Sequence, residues 1–416
     1  MATVDDGTAL FLRGVLPGEL VRARPTEKRG DGFAAVAEAL LDPSAERAEP
    51  PCEHAAACGG CALQHWRMAP YLAWKAGLLE ASLRRAGYAP ELAPIVATAP
   101  RTRRRMDFAA RREAGRLRLG LHAPRSRDIV DVSDCHVLHP TLMALLPALR
   151  ATLTSLTAVK READVICNLL DTGPDLLLRT DAEPTAQDRT RLAAFARAHG
   201  IRRIAYRRGD SPTETLVLSE APRVRFAGTE VTPPPGAFLQ ASAEGESAIV
   251  AAVLAGLPEK LPARARVADL YAGCGTLSFA LAGRARVAAF EGDAASVSAL
   301  RAGVNASGLA GRIEPLQRDL VRQPLSAKDL AGFAAVVLDP PHAGAAVQVA
   351  QLAASDVARV IYVSCNPAAL ARDAATLRAA GFALLRATPI DQFLWSARLE
   401  SVCVFARVKA GVSPRH

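Results

Sequence analysis

From about residue 240 onward, short apolar runs alternate with stretches of helical character, and that rhythm limits the possible folds more than any other feature of the chain. The runs fall at 266–272, 286–291, 313–318, 334–339, 359–364, 382–388 and 399–407. Most consist of near-continuous Val, Ile, Ala, Leu and Phe, with no strict polar alternation, as expected of strands buried on both faces. Strands separated by helices form βαβ units around a mostly parallel sheet. In such open α/β sheets ligands bind outside the carboxyl ends of the strands. The residues that follow each run are therefore the first candidates for function.

The fifth run ends in Val360-Ile361-Tyr362-Val363-Ser364-Cys365-Asn366-Pro367. Asn366 can cap the next helix and Pro367 suits its first turn, which places the Cys365 thiol at the edge of the sheet. The positive end of a helix lowers a cysteine pKa, so Cys365 reads as a nucleophile. The competing reading is a small residue that simply ends a strand. The first run continues into Val267-Ala268-Asp269-Leu270-Tyr271-Ala272-Gly273-Cys274-Gly275-Thr276. Gly273 and Gly275 allow close approach of the backbone to a ligand. The second run ends at Glu291, placed to bind ribose hydroxyls, and Asp319 follows the third as a partner for an adenine amino group. Leu277 and Ser278 stand where a dinucleotide site would carry its third glycine. With Asp269 ahead of the glycines, the pattern favours S-adenosylmethionine over a dinucleotide. Tyr271, Gly273, Gly275, Glu291 and Asp319 are thus candidate cofactor residues.

The fourth run ends in Asp339-Pro340-Pro341-His342, a rigid turn that offers a carboxylate to the same edge. Amino-group methyltransferases place Asn/Asp-Pro-Pro-aromatic here, but His342 is not that aromatic and an amine target needs no cysteine. Glu400 sits in the apolar last run, where a carboxylate is costly to bury without purpose.

The rest of the chain bounds the setting. Its 416 residues suffice for two or three domains. No apolar run approaches the roughly 20 residues of a membrane span, and Asp5, Asp6 and Gly7 interrupt any export leader. These features lead us to expect a cytoplasmic protein, not a membrane one, with reduced thiols. Its 8 cysteines are then metal ligands, a nucleophile or core filler. Cys274, Cys167 and Cys403 read as filler. The 51 Lys+Arg against 42 Asp+Glu leave a net charge of +9, and the excess clusters at Arg101–Arg118 and Arg202–Arg208. That distribution favours a polyanion such as RNA. No obligate protein partner is implied.

Residues 1–49 read as a small β unit with a turn at Leu16-Pro17-Gly18-Glu19, residues 69–87 as an amphipathic helix, and 104–230 as an α+β region. Cys52, Cys58 and Cys61 lie on one glycine-containing loop, and Cys135 is the candidate fourth thiol. Four thiolates suit an iron–sulfur cluster or a structural zinc, although the paired Cys-x2-Cys hairpins common in zinc sites are absent.

The chain resembles the RNA (uracil-5-)-methyltransferase family, in particular its branch acting on 23S ribosomal RNA. The likeness lies in Gly236-Ala237-Phe238-Leu239-Gln240, the Asp269–Thr276 loop, Leu338–Pro341, Ser364-Cys365-Asn366-Pro367, Asp391-Gln392-Phe393 and Leu399-Glu400-Ser401-Val402. The resemblance implies a Rossmann-like class I methyltransferase domain over 69–103 and 236–416. It also implies a central iron–sulfur and RNA-binding domain over 50–68 and 104–235, and a shortened OB-like TRAM barrel over 1–49. By the same likeness Cys365 is the nucleophile and Glu400 the base. Gln240 and Asp339 hold the base or the cofactor, Phe238 stacks on a flipped uridine, and Cys52, Cys58, Cys61 and Cys135 hold a [4Fe-4S] cluster. Two departures stand out: His342 replaces a common Arg, and Leu394-Trp395-Ser396-Ala397-Arg398-Leu399-Glu400 replaces a histidine-containing run. The rival readings are the same chemistry on tRNA, RNA cytosine-5 methylation, and a non-catalytic RNA-binding assembly factor. Cytosine-5 enzymes usually carry a second cysteine after the proline of the fourth-strand motif, and none stands here.

Overall fold

The computed structural model describes residues 2–4 and 6–408, so Met1 and Asp5 of the range 1–49 and the last eight residues of the range 236–416 lie outside the described part. The carboxyl-terminal region forms an eight-stranded sheet. Its order is Ile313–Gln317, Arg286–Glu291, Arg266–Leu270, Phe333–Leu338, Arg359–Ser364, Glu400–Arg407, Phe382–Asp391 and the short Val96–Ala97. All neighbours run parallel except the two pairings made by Glu400–Arg407.

Burial explains the unbroken apolar runs. Val267, Val336, Val337, Ile361, Tyr362 and Val363 are all fully buried, because helices cover both faces of the sheet. One face packs on Ile249, Val253, Leu281 and Leu300. The other packs on Leu79, Leu83, Leu352, Leu370 and Leu377. The layering is that of a doubly wound α/β fold. Leu79 and Leu83 belong to the helix Met68–Arg85, which lies against the helix Pro367–Ala379. The Ser82 hydroxyl donates to the Pro367 carbonyl, the first residue after the Cys365–Asn366 turn.

The antiparallel last strand has a consequence for chemistry. A parallel strand delivers its carboxyl end to the ligand edge, whereas an antiparallel one delivers its amino end. Ser364 pairs with Ser401, so Glu400, the first residue of its strand, lands at the edge where Cys365 emerges.

The strands between residues 105 and 218 form a second sheet. It is seven-stranded, in the order Glu214–Leu218, Arg203–Arg207, Gly173–Thr180, Glu162–Leu170, Arg105–Glu113, Arg116–His122, Ile129–Asp131. The helices Pro140–Ser155 and Ala186–Ala198 cover one of its faces through Leu142, Leu146, Leu149, Leu153, Leu192 and Phe195. The first strands, Ala2–Thr3, Ala9–Phe11, Leu20–Arg29 and Gly32–Asp42, make a separate small sheet. Glu19, from the turn noted in the sequence, accepts the Leu16 and Ser44 N–H groups at 2.7 and 3.1 Å and pairs with Arg47, closing that unit. Among the described residues no helix is long and apolar enough to cross a membrane.

Candidate active site

Cys365 follows directly on the strand Arg359–Ser364 and is half-buried. Asn366 caps the next helix, its Oδ1 accepting the N–H groups of Ala368 at 3.0 Å and Ala369 at 3.4 Å. The same side chain donates through Nδ2 to the His342 carbonyl at 2.8 Å, which ties the cysteine turn to the Asp339–His342 turn. The imidazole of His342 approaches the thiol, with Nδ1 3.6 Å from Sγ. The lowering that the sequence led us to expect from the helix end is outweighed at this thiol. Burial, followed by the carboxylates of Glu400 and Asp339, pushes it up to about 11.

Glu400 is buried, with 3% of its surface exposed. Gln392 Nε2 donates to its Oε2 at 2.8 Å, and Oε1 has no partner among the described residues. The other proton on Gln392 Nε2 goes to Gln240 Oε1 at 2.8 Å, and Gln240 Nε2 donates to Asp339 Oδ2 at 3.1 Å. Two amides thus form a ladder between two carboxyls. The Ala241 N–H fixes the orientation of Gln392 by donating to its Oε1 at 3.1 Å. Desolvation, and for Glu400 the nearby Asp339, holds both carboxyls above their ordinary range; Asp339 rises to about 6. Burial disfavours the charged form, so each carboxylate is an effective base once ionised.

Gln392 sits in a braced loop. The preceding residue, Asp391, is fully buried and pairs with Lys75, and it accepts from Tyr71 Oη at 2.7 Å. Lys75 Nζ donates on to the Phe393 carbonyl at 3.0 Å, and the Trp395 N–H donates to Tyr71 Oη at 2.7 Å. Asp391-Gln392-Phe393 was visible in the sequence as a block, but neither its contact with Glu400 nor the contact of His342 with the thiol had a signal of its own.

A second cleft opens where strand order reverses, between Arg266–Leu270 and Phe333–Leu338. Phe238, Gln240, Asp269, Tyr271, Gly273, Thr276, Ser296 and Asp339 line it, together with Cys274. Cys274 is buried and also belongs to the core cluster beneath the cleft. Gly273 has φ +55° and open space where a Cβ would stand, so a ligand can reach its backbone. Gly275 is glycine for packing: a Cβ would come within 2.5 Å of Leu300. Tyr271 carries a left-handed φ of 65°, an unusual conformation for an aromatic residue. Asp269 is fully buried and pushed by burial up to about 7. Ser278 Oγ donates to its Oδ2 at 2.5 Å, and its Oδ1 has no partner among the described residues. An orphaned buried oxygen in a ligand cleft fits the donor groups of an amino-acid moiety.

Glu291 lies one strand away and accepts the Gly273 N–H at 2.9 Å and the Asp293 N–H at 2.8 Å. Asp319 accepts from Val321 and Arg322 N–H at 3.0 and 3.2 Å. Both stand at the carboxyl ends of their strands, outside the residues that line the cleft. Phe238 is 67% exposed, and the Arg105 guanidinium lies 5.6 Å from its ring centroid.

The four expected thiols share one cavity of about 490 Å³, lined by Cys52, Cys58, Cys61 and Cys135 together with Gln392, Arg398 and others. The Gly59 N–H donates to the His122 carbonyl at 2.9 Å, where any Cβ would collide with that oxygen, so the cysteine loop requires glycine. The Gly60 N–H donates to Cys58 Sγ at 3.3 Å. Among the described residues, no three His, Cys, Asp or Glu side chains come close enough to hold a single metal ion. The Ala62 and Leu63 N–H groups donate to the Trp395 carbonyl at 2.8 and 3.0 Å, joining this loop to the one that carries Gln392.

A parallel sheet with an antiparallel last strand, glycine cleft and edge cysteine defines the molecule as a Rossmann-like methyltransferase in fold. A solved structure supports this assignment. The tRNA (uracil-54, C5)-methyltransferase of Pyrococcus abyssi, in complex with S-adenosyl-L-homocysteine, superposes with a TM-score of 0.71 at 21% identity, over 97% of this chain and 98% of that one. The family model for tRNA (uracil-5-)-methyltransferase matches residues 315–408, and one for conserved hypothetical protein 95 matches 255–361. A Brucella suis protein described as an uncharacterized RNA methyltransferase is 39% identical, over 98% of this chain and 94% of its own. The 23S rRNA (uracil(1939)-C(5))-methyltransferase RlmD of Pectobacterium atrosepticum is 34% identical, over 96% and 89%. The chain belongs to the RNA (uracil-5-)-methyltransferase family and is an S-adenosylmethionine-dependent methyltransferase.

Proposed function

We propose that the protein methylates C5 of a uridine in 23S rRNA through a covalent adduct between Cys365 and C6 of the ring. The observation that carries this reading is the strand register that brings the Cys365 and Glu400 ends to one edge. Bound S-adenosylmethionine supplies an electrophilic methyl group. C5 of uracil is too weak a nucleophile to take it unaided. Addition of the Cys365 sulfur to C6 moves charge onto C5 and O4, splitting one hard step into two easier ones. C5 then takes the methyl group, Glu400 removes the C5 proton, and the electron pair left behind expels the sulfur. Gln240, whose amide nitrogen has one proton beyond that given to Asp339, would donate that proton to the ring. Asp269, Tyr271 and Gly273 would hold the methyl donor at the glycine cleft, with Glu291 and Asp319 at the next two strand ends.

The exposed Phe238 offers a face for a base taken out of its stack, and the arginines near Arg105 offer contacts to phosphate. The four-cysteine cavity supports a [4Fe-4S] cluster over zinc. Zinc sites more often pair two Cys-x2-Cys hairpins, which this cysteine loop does not carry. Such a cluster would brace the Trp395 loop and, through it, Gln392. The setting is a cytoplasmic one.

Mapping 5-methyluridine in 23S rRNA and tRNA from cells lacking the gene tests the substrate: loss from 23S rRNA alone is expected, and loss from tRNA alone would move the target. Glu400→Gln is expected to accumulate an RNA–protein adduct that survives denaturation, while Cys365→Ala forms none. An adduct in the Cys365→Ala protein would overturn the mechanism.

A further inference from the structure

We propose that His342 is a catalytic residue of this enzyme: the base that takes the Cys365 thiol proton as the sulfur attacks. The proposal rests on the reading of Cys365 as the nucleophile. The imidazole stands with Nδ1 3.6 Å from Sγ, within reach of an S–H donor. The contact is set by the backbone, because Asn366 Nδ2 holds the His342 carbonyl at 2.8 Å while its Oδ1 caps the helix that follows Cys365. Pro340 and Pro341 stiffen the approach from the other side. The Ala343 carbonyl accepts from Arg372 at 3.0 Å, so the turn is anchored on both flanks.

The surroundings make such a base necessary. The charged groups acting on the sulfur are Glu400 and Asp339, which oppose a thiolate, and Arg398, which favours one. Glu400 is reserved for the C5 proton and is engaged by Gln392; Asp339 is engaged by Gln240. An unprotonated imidazole nitrogen accepts a proton. The step balances: the S–H bond breaks, its proton goes to Nδ1 to form an imidazolium, and the sulfur electron pair forms the bond to C6. When Glu400 has taken the C5 proton and the sulfur leaves, the imidazolium returns its proton and the thiol is restored. An imidazolium beside the departing sulfur also offsets the charge of the two carboxyls.

The test is alkylation of Cys365 by iodoacetamide in the free, full-length enzyme between pH 6 and 10, read at the Cys365 peptide by mass spectrometry. It needs no RNA and no methyl donor, so it can fail independently of the substrate assignment. Wild type should be alkylated measurably at pH 7, well below the pH at which the thiol ionises by itself. In His342→Gln and His342→Ala, alkylation at pH 7 should fall by about 10-fold or more, and the profile should shift to higher pH. Added imidazole should restore part of the rate in His342→Ala. Variants whose Cys365 alkylation profile matches wild type within about twofold, with no response to imidazole, would overturn the assignment. Near-ultraviolet circular dichroism checks that each variant retains its packed core.

Discussion

Replacing Asp269 by Asn should make the protein's stability less dependent on pH. Asp269 is fully buried, and burial raises its carboxyl from 3.8 to about 7. A group whose folded pKa lies above its unfolded one favours the folded state fully only at low pH, and that contribution is lost as pH climbs through the folded value. The loss should therefore develop between pH 4 and 7. Asn cannot ionise and keeps an oxygen for the Ser278 hydroxyl, but it buries an amide N–H₂ that costs about 1–3 kcal/mol at every pH. Relative to wild type, Asp269→Asn should lose stability at pH 4.5 and gain roughly 3 kcal/mol on moving to pH 8. Urea unfolding followed by circular dichroism at a series of pH values reads this difference. A gap between variant and wild type that stays constant across that range would show that the carboxyl is not desolvated, and would remove the argument that its free oxygen awaits a ligand.

Two further outcomes follow from the same geometry. Gln392→Ala removes the donor that stabilises ionised Glu400. The methyl-transfer rate should fall about 10–100-fold, and the acidic limb of its pH profile should move to higher pH; an unshifted limb would place the base elsewhere. Protein purified without oxygen should contain about four irons per chain, and Cys58→Ser or Cys135→Ser should lose most of them; stoichiometric zinc with full activity would replace the cluster.

The sequence made the ligand edge legible residue by residue. The central apolar runs fold as strands buried on both faces, and the carboxylates and thiol that follow the parallel runs stand where parallel strands must deliver them. The helix at Met68–Arg85 was equally plain, since Leu79 and Leu83 recur with helical period. What was hidden is whatever depends on contacts between distant segments. The bond between Gln392 and Glu400 required the Lys75–Asp391 pair to brace a loop from over 300 residues away. The raised thiol pKa came from burial first, and then from two carboxyls brought in by separate strands.

Local patterning thus determined the elements, their order and the candidate residues for attack, proton transfer and metal binding. Only the tertiary structure brought the thiol and the last strand's carboxyl to one edge. A single antiparallel insertion, with Ser401 paired to Ser364, turns the amino end of the last strand toward the carboxyl end of the fifth. Hydrophobic periodicity carries no sign of strand direction, because side chains alternate in the same way whichever way the chain runs.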